Sequence, residues 1–134
     1  MEFLLDVNLL VACAWSSHLL HRQANHWLDQ CGRFATCPIT QMGFLRIGMS
    51  AAHGASYVEA RAALDDIVTL ATHRFVKDAI AASALPSDLE SRHDITDAHF
   101  IEIARRHRLM LATLDDILCR KPWAKGIAVN PLSR

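Results

Sequence analysis

Three aspartates each stand at the end of an apolar run in this sequence. Asp6 closes Phe3-Leu4-Leu5, Asp97 sits in Ile95-Thr96-Asp97-Ala98-His99-Phe100-Ile101, and Asp115 follows Leu109-Met110-Leu111-Ala112-Thr113-Leu114. In an open α/β sheet, residues leaving the carboxyl ends of strands converge on one crevice even when far apart in the chain. Carboxylates about 4 to 5 Å apart repel by roughly 3 to 4 kcal/mol per pair at an effective dielectric near 20, so such a pocket persists only with shared protons or a bound cation. A hard divalent ion held by oxygens is the economical solution. The chemistry it would support is phosphodiester hydrolysis by an activated water. Each acid also has an ordinary alternative. Asp6 and Asp115 would serve as caps of the helices that follow them, and Asp97 as a first-turn acid behind an Asp94 or Thr96 cap.

The elements that must position these acids are readable from periodicity and turn residues. Phe3 to Leu5 reads as a short buried strand, and Asn8 as the cap of a helix running to about Trp15. His18 to Cys31 reads as a second helix, with Leu20, Ala24, Trp27, Leu28 and Cys31 on one face and Gly32 as its stop. Phe34 to Cys37 is a second strand, ended by Pro38. Thr40 is the expected cap of a helix carried on through Met49 and ended by Gly54, and Ser56 opens another amphipathic helix. His73 to Val76 is a weak strand, and Ala84 to Arg92 the clearest loop. Then come a helix from about Thr96 to His107, a strand from Leu109 to Thr113, a short helix near Ile117 to Arg120 and a last strand near Gly126 to Val129. On the wheel of its helix Asp97 falls in the apolar stripe with Phe100, Ile101 and Ala104, so it must be paired, metal-bound or at the open rim of the sheet. Strands alternating with helices imply right-handed crossovers and a doubly wound parallel sheet.

Composition narrows the classes. The 134 residues form one α/β domain spanning 1–134, and 51% hydrophobic against 21% charged residues excludes a disordered chain and leaves apolar surface for a partner or a second copy. No run is long enough to span a membrane, and Glu2 and Asp6 interrupt any secretory signal, so a cytoplasmic protein is expected. Cys13, Cys31, Cys37 and Cys119 form no C-x-x-C pair and read as free thiols. Fourteen basic and 14 acidic residues cancel, which argues against gripping a nucleic acid through bulk charge. Local charge remains, in Arg105, Arg106, His107 and Arg108 and then Arg120, Lys121 and Lys125, although such a run also suits a solvated helix end. His18 and His21, one helical turn apart, offer a metal-independent acid–base pair as a rival chemistry. With His26 and His99 they lack the further ligands of a zinc site. Trp15, Trp27 and Trp123 read as core or contact residues, with base stacking a second possibility for Trp123 beside Lys121 and Lys125.

Taken in order, Leu4-Leu5-Asp6-Val7-Asn8-Leu9-Leu10, Cys37-Pro38-Ile39-Thr40-Gln41-Met42-Gly43-Phe44-Leu45-Arg46-Ile47, Thr96-Asp97-Ala98-His99 and Leu111-Ala112-Thr113-Leu114-Asp115 resemble a PIN-domain ribonuclease of the VapC toxin type across nearly the whole chain. That resemblance implies a three-layer α/β/α domain around a central parallel sheet. It also implies a Mg²⁺- or Mn²⁺-dependent endoribonuclease acting on RNA, paired with a cognate antitoxin and assembled as a homodimer. By motif, Asp6 and Asp97 correspond to the principal metal-binding aspartates, Asp115 to the later acid, Thr113 to the hydroxyl residue before it, and Asn8 to the polar residue near the first strand's end. Gln41 departs from the glutamate of many relatives. Its amide can accept a hydrogen bond or hold a metal-bound water but brings no charge, so weaker metal affinity, a one-ion site or compensation by Asp94 or Asp116 stay open. Arg46 and the Arg105 to Arg108 group are candidates for RNA backbone contacts. Two rivals stand beside this expectation: a non-catalytic PIN-like interaction module, and a haloacid-dehalogenase-like phosphohydrolase, which needs a second aspartate where this chain has Asn8.

Overall fold

In a computed structural model of the protein, residues 1–133 are described, and Arg134, the last residue of the expected domain span, lies outside them. Five short strands, β1 (Phe3–Leu5), β2 (Phe34–Thr36), β3 (His73–Phe75), β4 (Met110–Ala112) and β5 (Ala128–Val129), form one sheet in the order β3-β2-β1-β4-β5. Every pairing is parallel, with Phe3 opposite Phe34 on one side and opposite Met110 on the other. Six α-helices cover it: α1 (Val7–Ala14), α2 (His21–Gln30), α3 (Pro38–Gly48), α4 (Tyr57–Val68), α5 (Asp94–Arg106) and α6 (Asp116–Cys119).

The inner strands β1, β2 and β4 are apolar on both sides because both sides are covered, whereas the edge strand β3, His73-Arg74-Phe75, is partly exposed. Leu4, Ala35 and Leu111 join Phe100, Ile101 and Ile103 of α5 and Leu118 of α6 in one core. Their chain neighbours Leu5, Phe34 and Ala112 join Leu9, Leu10, Leu28, Phe44 and Leu64 from α1 to α4 in the other. The period-two alternation of a strand thus splits one short apolar run between two cores, and the result is the three-layer α/β/α domain. The chain moves from β1 outward to β2 and β3 under the first four helices, then crosses back to β4 on the other flank of β1. The strand order therefore reverses between β1 and β4, where an open α/β sheet forms its crevice.

Several expected boundaries shift for identifiable reasons. Asp6, not Asn8, caps α1 by accepting the Val7 N–H at 2.7 Å. Helix α3 begins at Pro38 rather than at Thr40, because proline suits the first helical position, while Thr40 sits inside the first turn and its Oγ1 accepts the Cys37 N–H at 2.9 Å. It ends at Gly48 instead of running to Gly54, which holds φ +65° in the turn that follows. Helix α2 starts at His21, since residues 16–20 form turns. Ser56 and Glu59 do build the reciprocal capping box of α4. In place of Asp94 or Thr96, His93 precedes α5 without a side-chain cap. All four cysteines are free; Cys13 and Cys37 are buried, Cys31 and Cys119 partly so. Burial pushes the Cys13 thiol up to about 12. Among the described residues no helix is long and apolar enough to cross a membrane.

Candidate active site

The reversal point brings the ends of β1 and β4 together, since Leu5 pairs with Ala112 and the Asp6 N–H donates to the Ala112 carbonyl at 2.9 Å. Asp6 and Thr113 are thereby neighbours, 107 positions apart in the chain. Thr113 Oγ1 donates to Asp6 Oδ2 at 2.7 Å and itself accepts the Asp115 N–H at 3.1 Å. Asn8 clips the same turn from the α1 side, accepting the Leu114 N–H at 3.1 Å and donating to Thr113 Oγ1 at 3.3 Å. The Asp115 carboxylate caps α6, accepting the Ile117 and Leu118 N–H groups at 3.0 Å. For Asp6 and Asp115, cap and pocket acid are not alternatives, because a strand end that turns straight into a helix places the cap on the rim of the sheet.

Helix α5 supplies the third acid. Asp97 lies in its first turn, half-buried, at the mouth of a face whose deeper residues Phe100, Ile101 and Ala104 are buried. Its carboxyl is pushed up to about 6, first by desolvation and then by the charges of Asp6, Asp115 and Asp94, against which Lys121 acts weakly. Asp6 is only 6% exposed, and burial raises its pKa too, opposed by the Thr113 and Val7 hydrogen bonds and reinforced by Asp115. The three acids feel one another's charge and line one cavity of about 400 Å³. Among the described residues no three His, Cys, Asp or Glu side chains stand together as a ready-made metal-ligand cluster. The donor set is nevertheless all oxygen and mutually repulsive. That suits a hard divalent ion which keeps several of its own waters and needs only a few protein oxygens.

The other expected site residues divide sharply. Gln41 lines a separate groove with Arg61, Asp65 and Phe75, where its Nε2 donates to the buried Thr36 Oγ1 at 2.9 Å. Thr36 Oγ1 in turn stands 2.7 Å from His73 Nε2, an imidazole whose pKa burial pushes down. Of the acids named as compensation, Asp94 is buried and pairs with Lys121 at 3.6 Å, and Asp116 accepts from Asn130 at 3.0 Å. The His18–His21 pair does not form: His18 borders the acidic cavity, whereas His21 faces another one and holds the Ala12 carbonyl at 2.9 Å through Nδ1. His99 pairs with Asp78 at 2.9 Å. Arg46 is exposed on α3 and lines no part of the acidic cavity. The Arg105 to Arg108 group lines no part of the acidic cavity. Helix α5 runs from the acidic rim to the opposite edge of the sheet, which carries Arg105 about 12 Å away from Asp97 at 1.5 Å per residue. Trp123 is a core residue packed with Ala124 and Leu118. Two residues at or beside the site escaped the sequence reading. Lys121, on the wall of a neighbouring pocket, pairs with Asp94 close to Asp97, and His53, in a turn with no motif to mark it, lines the acidic cavity itself.

A family model for the PIN domain matches residues 3–124. Ribonuclease VapC38 of Mycobacterium tuberculosis is 35% identical over 120 residues, covering 84% of this chain and 84% of that protein. Ribonuclease VapC39 of the same organism is 36% identical over 127 residues, covering 88% and 91%. Two solved structures share the fold at low identity. The crystal structure of Mycobacterium tuberculosis VapC20, described as a Sarcin-Ricin loop cleaving toxin, superposes with a TM-score of 0.66 at 11% identity over 87% of this chain and 92% of that one. VapBC2 from Rickettsia felis, bound to a DNA fragment from their promoter, gives 0.65 at 13% identity over 97% and 98%.

Proposed function

Because this chain belongs to the PIN-domain family, among VapC-type members, we propose that it is the toxin of a toxin–antitoxin pair: an endoribonuclease that hydrolyses RNA phosphodiester bonds with Mg²⁺ or Mn²⁺. The observation that carries this reading is the convergence of Asp6, Asp97 and Asp115, from three separate segments, on one cavity in which desolvation first, and then the charges of the other acids, raise the pKa of Asp97 to about 6. A site that strains its own carboxylates in this way is organised for a positive charge. Asp6, Asp97 and Asp115 would hold the cation, which when bound supplies neutralisation of the phosphate's charge and acidification of the attacking water.

The chain's own residues prepare that site. Thr113 and the Val7 N–H fix the two Asp6 oxygens in place, so Asp6 is oriented before any ligand arrives. Asn8 and the Asp115 cap hold the β4–α6 turn at a set distance from α1. A carboxyl that keeps its proton up to about pH 6 exchanges that proton for a cation as pH rises, which gives metal binding a pH dependence in the mildly acidic range. A bound cation also reverses the sign of the pocket for a polyanion, which reconciles an RNA substrate with a chain of zero net charge.

The phosphohydrolase rival loses ground on geometry, since Asn8 stands where that chemistry needs an acid and both its amide atoms are engaged. The non-catalytic rival drew on Gln41, which lies outside the acidic cavity and so removes no charge from it. Exposed apolar side chains on α3 and α4, among them Met42, Ile47, Tyr57 and Val58, favour a protein partner, and we assign them to the cognate antitoxin and to a second copy of this chain. Four free cysteines suit a reducing cytoplasm. The test is cleavage of total bacterial RNA in Mg²⁺ or Mn²⁺. Activity should vanish with chelator and with Asp6→Asn, and undiminished cleavage in chelator would refute the proposal.

A further inference from the structure

The acidic cavity does not end at the acids. It follows α1 along Val7, Asn8 and Val11 to His18, which lies just beyond the helix, and is closed on the other side by Ile47 and His53 at the end of α3. The two helices run side by side in one direction: a Cβ on Gly43 would meet Val7 near the start of α1, and one on Gly48 would meet Trp15 at its end. His18 and His53 therefore share the end of the trough remote from Asp6, about 12 Å away at 1.5 Å per residue of α1. That span exceeds a single nucleotide at the 3.4 Å rise of a stacked strand, roughly threefold.

The chemistry of this far end is opposite to that of the near end. Nδ1 of His18 accepts the Leu20 backbone N–H at 3.0 Å. With Nδ1 taken up as an acceptor, Nε2 is the ring nitrogen that His18 has left to donate. His53 stacks on Trp15 with ring centroids 5.9 Å apart, and its buried Nδ1 has no hydrogen-bond partner in the protein. Besides Asn8, whose amide is engaged with Thr113, these histidines are the side-chain N–H carriers on the cavity wall. The arginines that would usually hold a phosphate lie elsewhere, at the far end of α5 and on the outside of α3.

We infer that His18 and His53 form a subsite for the RNA strand about three nucleotides from the scissile bond at stacked spacing, in which His18 Nε2–H donates to a backbone phosphate. This inference rests on the ribonuclease reading and deepens it, assigning a substrate-binding role to residues outside the acidic set. The site binds RNA at two points, a cation-bearing end and an imidazole donor end, so that the strand is laid along α1 rather than held at the acids alone.

The experiment is steady-state cleavage of total bacterial RNA in Mg²⁺ by the wild type, His18→Ala, His18→Gln and His53→Ala, with thermal melts of each protein. His18→Ala should raise the apparent KM about tenfold or more with kcat preserved, the loss expected for a hydrogen bond to an anion, and lower the melting temperature only by the loss of the one hydrogen bond to Leu20. His18→Gln, which keeps both an N–H and an acceptor for Leu20, should recover most of that loss. His53→Ala tests the same subsite from the other wall and should also act on KM. Wild-type KM values in both alanine variants would overturn the subsite while leaving the nuclease reading intact. A fall in kcat tracking a lower melting temperature, without rescue by His18→Gln, would mean a structural role and also overturn it. Absence of wild-type cleavage in Mg²⁺ and Mn²⁺ would defeat the ribonuclease reading itself and the subsite with it.

Discussion

Replacing Asp97 by asparagine should make the metal-free protein more stable and inactive at once. An ordinary aspartate loses its proton near 3.8 and this one near 6, a difference worth about 3 kcal/mol at face value. The carboxyl is half-buried, so solvent screens much of that, and the N-terminus of α5 favours a negative charge there by up to about 1 kcal/mol. A net gain of about 1 to 2 kcal/mol at pH 7 remains for Asp97→Asn. The sign follows from proton binding: between the two pKa values the folded state holds a proton that the unfolded state has released. The stabilisation contributed by the Asp97 proton is therefore fully present below about pH 4 and is lost as pH rises through about 6. The asparagine variant lacks this slope, so the gap between the two proteins should open across that window and not beyond it. Urea denaturation in chelator, followed by circular dichroism at a series of pH values, measures it. For a chain of this length each kcal/mol corresponds to a rise in Tm of about 3 to 5 °C. Adding Mg²⁺ should narrow the gap by stabilising the wild type more than the variant. A variant less stable than wild type at pH 7, or a gap that does not change between pH 4 and 6, would refute the idea that these carboxylates repel one another in a shared cavity.

Thr113→Val removes the donor to Asp6 and the acceptor for Asn8 and the Asp115 N–H in a fully buried position. It should cost about 1 to 3 kcal/mol by urea denaturation and lower kcat for RNA cleavage. A methyl added by Gly43→Ala would meet Val7 Cγ2 at 2.7 Å, forcing α3 away from α1 at a cost of about 1 to 3 kcal/mol. The double variant Gly43→Ala/Val7→Ala should recover part of that loss in the same denaturation assay, since the clash is with a single side chain. Gln41→Glu should leave Mn²⁺ affinity by titration calorimetry unchanged, because position 41 lines another groove. It should also lose about 1 kcal/mol of stability as the N–H donated to Thr36 disappears.

Much of the architecture and the acidic set was present in one-dimensional form. The inner strands are short apolar runs, Ser56-x-x-Glu59 announces a helix start, and each acid stands where an apolar run stops. These features are local: period, capping and turn chemistry act over a few residues, so a linear reading captures them. Boundaries failed where two local signals competed, as at Asp6 against Asn8 or Pro38 against Thr40, because a cap is chosen by backbone geometry that residue type only biases. What the linear chain left open was company. His18 and His21 are three residues apart and look like a pair, yet the turn before α2 sends them to different cavities. Gln41 belongs to a matching motif but turns to Thr36 and His73 on the far side of β2, and Arg105 lies only eight residues after Asp97 yet at the opposite edge of the sheet. His53, unmarked by any motif, arrives at the acidic trough because α3 lies against α1. Residue type and period thus determined which groups were available and which elements would carry them. Strand order and helix direction decided which groups meet, because those are set by packing two apolar cores against one sheet, a property of the whole chain rather than of any window within it.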